Sequence, residues 1–219
     1  MTRRRYTSAL MSVNPALKLP RGGLYAISDG PRDDLLAACA AALRGGARVL
    51  QYRDKSHDAA RRLAEAAALA ALCADFGVPL IVNDDVELAA ALGCGVHLGA
   101  EDAGLAAARA RLGPGAAIGV SCYDSLERAR AAATAGADYL AFGAFFPSPT
   151  KPRALRADAA LLRAALPLGL PLVAIGGITP DNAAPLIAAG AAFVAAISGV
   201  FAAPDPELAA RRYATLFTK

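Results

Sequence analysis

Eight short apolar runs, each followed by an alanine-rich stretch with helical spacing, constrain this chain more than any other feature. The runs are Leu24 to Ser28, Val49 to Arg53, Pro79 to Asn83, Gly95 to Gly99, Ala117 to Cys122, Tyr139 to Phe146, Pro171 to Gly177 and Phe193 to Gly199. Helical patterns cover Asp33 to Arg44, Asp58 to Ala74, Val86 to Leu92, Leu105 to Leu112, Ser125 to Ala135, Ala157 to Leu166, Asp181 to Ala189 and Pro206 to Phe217. Glycine then alanine joins helix to strand at Gly45-Gly46-Ala47, Gly136-Ala137 and Gly190-Ala191, where glycine closes the helix. Strict alternation demands parallel strands with helical crossovers. Eight units within 219 residues point to a closed (β/α)8 TIM barrel, a single domain of the α/β class. A doubly wound open sheet is the alternative. It usually carries a G-x-G-x-x-G turn after its first strand, where this chain reads Ser28-Asp29-Gly30-Pro31.

Composition excludes several functional classes. At 56% hydrophobic residues the chain can bury a large core. The longest stretch without a charge, Ala183 to Pro204, is interrupted by Pro185, Gly190, Ser198 and Gly199 and reads as a helix plus a buried strand, not a membrane span. Arg3, Arg4 and Arg5 precede no long apolar segment with a cleavage site, so residues 1–20 read as a flexible extension ahead of a barrel domain over 21–219. The net charge of +4 arises from cations interleaved with acids, which argues against nucleic-acid binding. Cys39, Cys73, Cys94 and Cys122 lack C-x-x-C spacing and suit buried free thiols in a reducing cytoplasm. Neither His57 nor His97 has a second histidine or a cysteine at metal-ligand spacing, so zinc is not expected.

Charge gathers at the strand ends. Gln51-Tyr52-Arg53-Asp54-Lys55 closes the second run, and strand alternation would set Gln51, Arg53 and Lys55 on one face. Inside a barrel those two cations would cost several kcal/mol unless an anion pairs with them. An edge strand running into solvent is the competing reading.

The third run ends in Asn83, Asp84 and Asp85, and the loop after the fourth holds Glu101 and Asp102. Asp84 and Asp102 would lie on adjacent loops and offer the hard oxygen ligands that Mg2+ prefers. One member of the Asp84-Asp85 pair could instead cap the helix starting at Val86.

Ser121 stands near the end of the fifth run, and the proline-rich loop Phe146 to Pro152 offers Ser148, Thr150 and Lys151 to phosphate oxygens, or else is a plain exposed turn. Gly176-Gly177-Ile178-Thr179-Pro180 reads as a turn with Thr179 as helix N-cap, its glycines allowing close approach of a ligand. With Ile197, Ser198 and Gly199 it matches the phosphate site that barrels often build after strands seven and eight. These parts suit departure of a metal-bound pyrophosphate, with cations neutralising the charge that develops.

The strings Gln51 to Lys55, Ile81 to Asp85, Gly95 to Gly99 with Glu101-Asp102, Gly119 to Ser121, Phe142-Gly143 through Thr150-Lys151, Ile175 to Thr179 and Ile197-Ser198 together resemble the thiamine-phosphate synthase family. The likeness spans roughly residues 24–217. It implies that 4-amino-2-methyl-5-hydroxymethylpyrimidine diphosphate is joined to 4-methyl-5-(2-hydroxyethyl)thiazole phosphate by a dissociative route, giving thiamine monophosphate and pyrophosphate. Carried over by motif, Gln51, Arg53, Lys55 and Asn83 would hold the pyrimidine diphosphate. Asp84 and Asp102 would hold Mg2+, and Ser121 and Lys151 would contact the departing pyrophosphate, with Arg53, Ser121 and Lys151 as the catalytic set. Ser148, Thr150, Gly177, Ile197 and Ser198 would seat the thiazole and its phosphate. Two departures stand out: Tyr123 where the family commonly has histidine, and Ser148-Pro-Thr-Lys151 where it often reads Thr-x-Thr-Lys. A related barrel, the thiazole tautomerase, uses that histidine and needs no metal pair, so Tyr123 with Asp84 and Asp102 present favours the synthase. A non-catalytic sensor of the same precursors is a third reading. Small phosphorylated substrates are the expected partners, and assembly into a homo-oligomer is left open.

Overall fold

The computed structural model describes residues 18–99, 104–147 and 157–218. Eight parallel strands close into a barrel in sequence order: β1 (Gly23–Ile27), β2 (Ala47–Tyr52), β3 (Leu80–Asn83), β4 (Gly95–Leu98), β5 (Ile118–Tyr123), β6 (Tyr139–Phe142), β7 (Leu172–Ile175) and β8 (Phe193–Ala196). β8 pairs back onto β1 through Gly23 and Phe193, so no edge remains. The crossovers carry helices α1 (Leu35–Arg44), α2 (Ala59–Phe76), α3 (Val86–Leu92), α4 (Leu105–Leu112), α5 (Leu126–Thr134), α6 (Ala159–Ala165) and α7 (Ala184–Ala188). After β8 the chain makes a short helix α8 (Ser198–Phe201) and then α9 (Pro206–Ala214), which packs on α1. The (β/α)8 expectation holds.

Strand parity divides the core in two. Tyr25, Ile27, Val49, Ile81, Tyr139, Val173 and Phe193 fill the barrel. Their neighbours Leu24, Ala26, Leu50, Tyr52, Val82, Val96, Leu140 and Phe142 face the helices. Leu19 packs against the inner cluster just ahead of β1. The helices start where short acceptors stand. Asp58, Asp85, Ser125, Asp158 and Asp205 each accept a hydrogen bond from the backbone N–H three residues on. All four cysteines are free and buried, and burial pushes the Cys39, Cys94 and Cys122 thiols up to about 12.

The structure departs from the sequence reading at two of the strand ends that carry candidate residues. The eighth strand stops at Ala196, so Ser198 and Gly199 belong to the first turn of α8, not to a strand. Thr179 is not a helix N-cap. Helix α7 begins only at Ala184, and Asn182 Oδ1 instead accepts the Thr179 N–H at 2.8 Å while Asn182 Nδ2 donates to the Gly177 carbonyl at 3.1 Å.

The turn after β2 is built around a buried carboxylate. Asp54 pairs with Gly30 across the β1–β2 mouth, accepts the Ser56 N–H at 2.7 Å and meets the Arg61 guanidinium at 2.7 Å. Burial works against its charge, but the Ser56 and Arg61 hydrogen bonds outweigh it and hold the carboxyl below the usual range. Its folded-state value lies below the unfolded one, near 3.9, so the stabilisation is complete above about pH 4 and is lost as pH falls through the folded value. Asp54→Asn is therefore expected to cost roughly 1–3 kcal/mol at pH 7 and progressively less below about pH 4. Urea melts of both proteins at pH 7 and pH 3 check this; an equal gap at both pH values contradicts it.

Candidate functional site

The barrel interior is apolar except for a run of hydrogen bonds that crosses it and climbs to the mouth. Gln51 Nε2 donates to Tyr25 Oη at 2.8 Å, Tyr25 and Tyr139 hydroxyls meet at 2.8 Å, and Tyr139 Oη lies 3.0 Å from His97 Nδ1. His97 Nε2 is in turn 2.9 Å from Ser121 Oγ. Tyr139 also stacks on the His97 ring, with centroids 5.6 Å apart. Burial raises both tyrosine hydroxyls well above their ordinary value, so each is a neutral donor.

This network was not legible as chemistry in the sequence. Tyr25 and Tyr139 stand within apolar runs, and His97 has no histidine or cysteine at metal-ligand spacing. The available signal was parity: an inward tyrosine in a barrel needs a partner for its hydroxyl. Glycines make the space. A Cβ on Gly119 would collide with the Tyr139 ring, so the ring lies where that side chain would be.

Gln51 is only 2% exposed and lies beneath the mouth rather than beside Arg53 and Lys55. β2 ends at Tyr52, so strand alternation does not carry unbroken to Lys55. Tyr52 faces α2 and donates to Glu65 at 2.7 Å, Arg53 is half-buried and Lys55 is exposed. The Arg53 main chain is pinned, its N–H donating to Ser28 Oγ at 2.9 Å. Among the described residues neither Arg53 nor Lys55 has an acidic partner, although nearby Arg61 pairs with Asp54 and Arg62 with Asp85 at 3.0 Å.

At the end of β3 the two aspartates divide the work. Asp85 caps α3 through Leu88 N–H at 3.0 Å and takes the Arg62 ion pair. Asp84 adopts φ 62°, a left-handed conformation that is uncommon for a non-glycine residue, and accepts from Asn83 Nδ2 at 2.6 Å. Tyr123 also has positive φ, 53°, at the irregular register of β5 on β6, and Arg128 lies over its ring at 5.4 Å. Asp102, Ser148, Thr150 and Lys151 lie outside the described residues.

On the opposite side of the mouth, Gly176 and Gly177 both have positive φ, 104° and 61°. A Cβ on Gly176 would strike Ala144, and one on Gly177 the Pro147 carbonyl and Phe146. The glycine pair is thus required by packing against the segment after β6, a cause the sequence did not reveal. Ile197 precedes α8 with φ −106° and ψ −90°, and Ser198 opens it. The β2, β3 and β5 ends therefore form one group of polar residues, and the β7 and β8 ends another.

A family model described as thiamine monophosphate synthase matches residues 24–200. The chain belongs to this family. A thiamine-phosphate synthase of Thiobacillus denitrificans is 58% identical over 200 residues, covering 90% of this chain and 95% of that protein. One from Xanthomonas campestris pv. campestris is 55% identical over 207 residues, covering 94% and 100%. The solved thiamine phosphate pyrophosphorylase of Pyrococcus furiosus superposes with a TM-score of 0.81 at 33% identity, over 90% of this chain and 95% of that one. The family members named here are transferases, and the barrel mouth described above lies within the matched segment. No helix of the described residues is long and apolar enough to cross a membrane.

Proposed function

We propose that this chain joins the pyrimidine diphosphate to the thiazole phosphate, releasing pyrophosphate and forming thiamine monophosphate. The observation that carries the reading is the pair of cations at the β2 end, Arg53 and Lys55, which have no acidic partner among the described residues while Arg61 and Arg62 beside them are paired. A diphosphate is an anion of the right charge to complete that group.

In the proposed reaction the carbon–oxygen bond of the pyrimidine methylene breaks first, and pyrophosphate leaves with the electron pair. The thiazole nitrogen lone pair then forms the new carbon–nitrogen bond. Arg53 and Lys55 would take up negative charge on the leaving group, joined by Lys151. Gln51, whose amide oxygen has no donor among the described residues, would accept from the pyrimidine amine at the floor of the site, beside Asn83. With Gln51 donating to Tyr25, one consistent set of donors runs from Tyr25 to Tyr139, from Tyr139 to His97 Nδ1, and from His97 Nε2–H to Ser121 Oγ. Ser121 then keeps its own proton for a pyrophosphate oxygen.

Asp84 and Asp102 would hold Mg2+. Asp84 suits that role, since it supplies hard carboxylate oxygens steadied by the Asn83 amide. When bound, the ion would add positive charge against the pyrophosphate. Ser148, Thr150 and the Gly177 and Ile197-Ser198 backbone would seat the thiazole phosphate. A reducing cytoplasm suits the four free thiols.

Incubation with both substrates and Mg2+ is expected to give thiamine monophosphate and pyrophosphate in equal amounts, and neither when one substrate is omitted. Interconversion of a thiazole carboxylate phosphate in EDTA, without pyrophosphate, would favour the tautomerase instead.

A further inference from the structure

Tyr213, near the end of α9, lies behind the mouth and is 1% exposed. Its hydroxyl donates to the Ile178 carbonyl at 2.9 Å, in the segment that follows Gly176-Gly177. The same hydroxyl fills the space where a Gly199 Cβ would stand. One oxygen atom thus touches both segments of the β7–β8 side. Burial raises the phenol to about 12, so it is a neutral donor with a fixed direction at working pH. Arg32 grips the far end of α8, donating to the Phe201 carbonyl at 2.8 Å with its guanidinium 5.9 Å from the Phe201 ring centre. Asp29 and Asp34 hold that guanidinium in place. Helix α8 is therefore fixed at its last residue and rests at its second on the Tyr213 hydroxyl.

We propose that Tyr213 is a positioning residue for the phosphorylated acceptor: its hydroxyl sets the distance between the Gly177-Ile178-Thr179 segment and the Ile197-Ser198 segment, and so the width of the phosphate seat. The inference rests on the proposed function for the identity of that ligand. It also changes the meaning of Gly199. That residue is glycine because tyrosine occupies its Cβ position from behind, not because a ligand approaches from the front.

The decisive comparison is Tyr213→Phe, Gly199→Ala and the double variant against the parent. Tyr213→Phe removes the bond to Ile178 and is expected to raise KM for the thiazole phosphate about tenfold, the loss typical of one buried hydrogen bond. KM for the pyrimidine diphosphate and kcat at saturation should stay within about twofold, a split that general loosening of the fold would not produce. Gly199→Ala should raise the same KM, since its methyl meets the hydroxyl. In the Tyr213→Phe background that methyl has room, so the double variant should be less impaired than the product of the two single effects. Calorimetric titration with the thiazole phosphate alone reads the same comparison without turnover. Binding that weakens as described in an inactive protein would sink the proposed reaction and leave this inference standing. Multiplicative single effects, equal shifts in both KM values, an unchanged Tyr213→Phe, or no binding by the parent protein would overturn it.

Discussion

Arg53→Gln is expected to lower kcat/KM for the pyrimidine diphosphate by about 10²- to 10³-fold, the usual consequence of removing one charged donor from a developing oxyanion. The side chain has no acidic partner among the described residues, so its cost falls on the ligand and not on the fold. Thermal melting should move by less than about 2 °C, because no side-chain contact worth as much as 1 kcal/mol is lost. Arg53→Lys should restore only part of the activity, since an ammonium keeps the charge but not the planar fork that meets two phosphate oxygens at once. The Ser28 hydroxyl fixes the Arg53 main chain, and Ser28→Ala should produce a smaller loss in the same direction. Steady-state kinetics with the melting curves separate the two quantities. Unchanged kcat/KM in Arg53→Gln would remove the argument for an anion cradle at the β2 end.

Gly119→Ala is expected to damage stability and activity together. Its Cβ would enter the Tyr139 ring at three atoms, including the carbon that carries the hydroxyl. Overpacking of this kind costs roughly 1–3 kcal/mol, which for a chain of this length lowers Tm by several degrees. Tyr139 cannot step aside without breaking its bonds to Tyr25 and His97, and His97 would then leave Ser121. Activity should fall by more than tenfold even where the protein remains folded, as one buried hydrogen bond is worth about that factor. Adding Tyr139→Phe should give no relief, because the clash is with the ring and not the oxygen. Adding Tyr139→Leu should recover much of the stability and none of the activity. Recovery of stability by Tyr139→Phe would show that the ring is not where the structure places it.

How far the sequence could be read depended on whether a residue's partner is near in the chain. The barrel was legible because helix and strand periodicity are local, as is the glycine that ends α1, α5 or α7, with Gly46, Gly136 and Gly190 all at positive φ. The Asp85 cap was legible for the same reason. His97 was not, because its partners Tyr139 and Ser121 lie 42 and 24 residues away. Tyr25 and Tyr139 sit in apolar runs where inward parity alone cannot distinguish filling from function. Strand parity sets Gln51 on an inward face, but its depth follows from Tyr25, a partner 26 residues away. Long-range packing at Gly176, Gly177 and Gly199 is likewise invisible in the sequence: Ala144, Pro147 and Tyr213 fill the space next to them. Ser198 directly follows the apolar run Phe193 to Ile197, which reads as one strand, whereas β8 closes at Ala196 and the chain turns at Ile197 into α8.

A barrel mouth that cradles a departing, metal-bound pyrophosphate, as proposed, makes pyrophosphate release depend on the metal. The most direct measurement is the rate of pyrophosphate release with both substrates present as Mg2+ is titrated into EDTA-treated protein. The expected result is no release before Mg2+ is added, a saturable rise as it is added, and loss of that rise in Asp84→Ala. Full-rate release in EDTA, or a rise unaffected by Asp84→Ala, would contradict it.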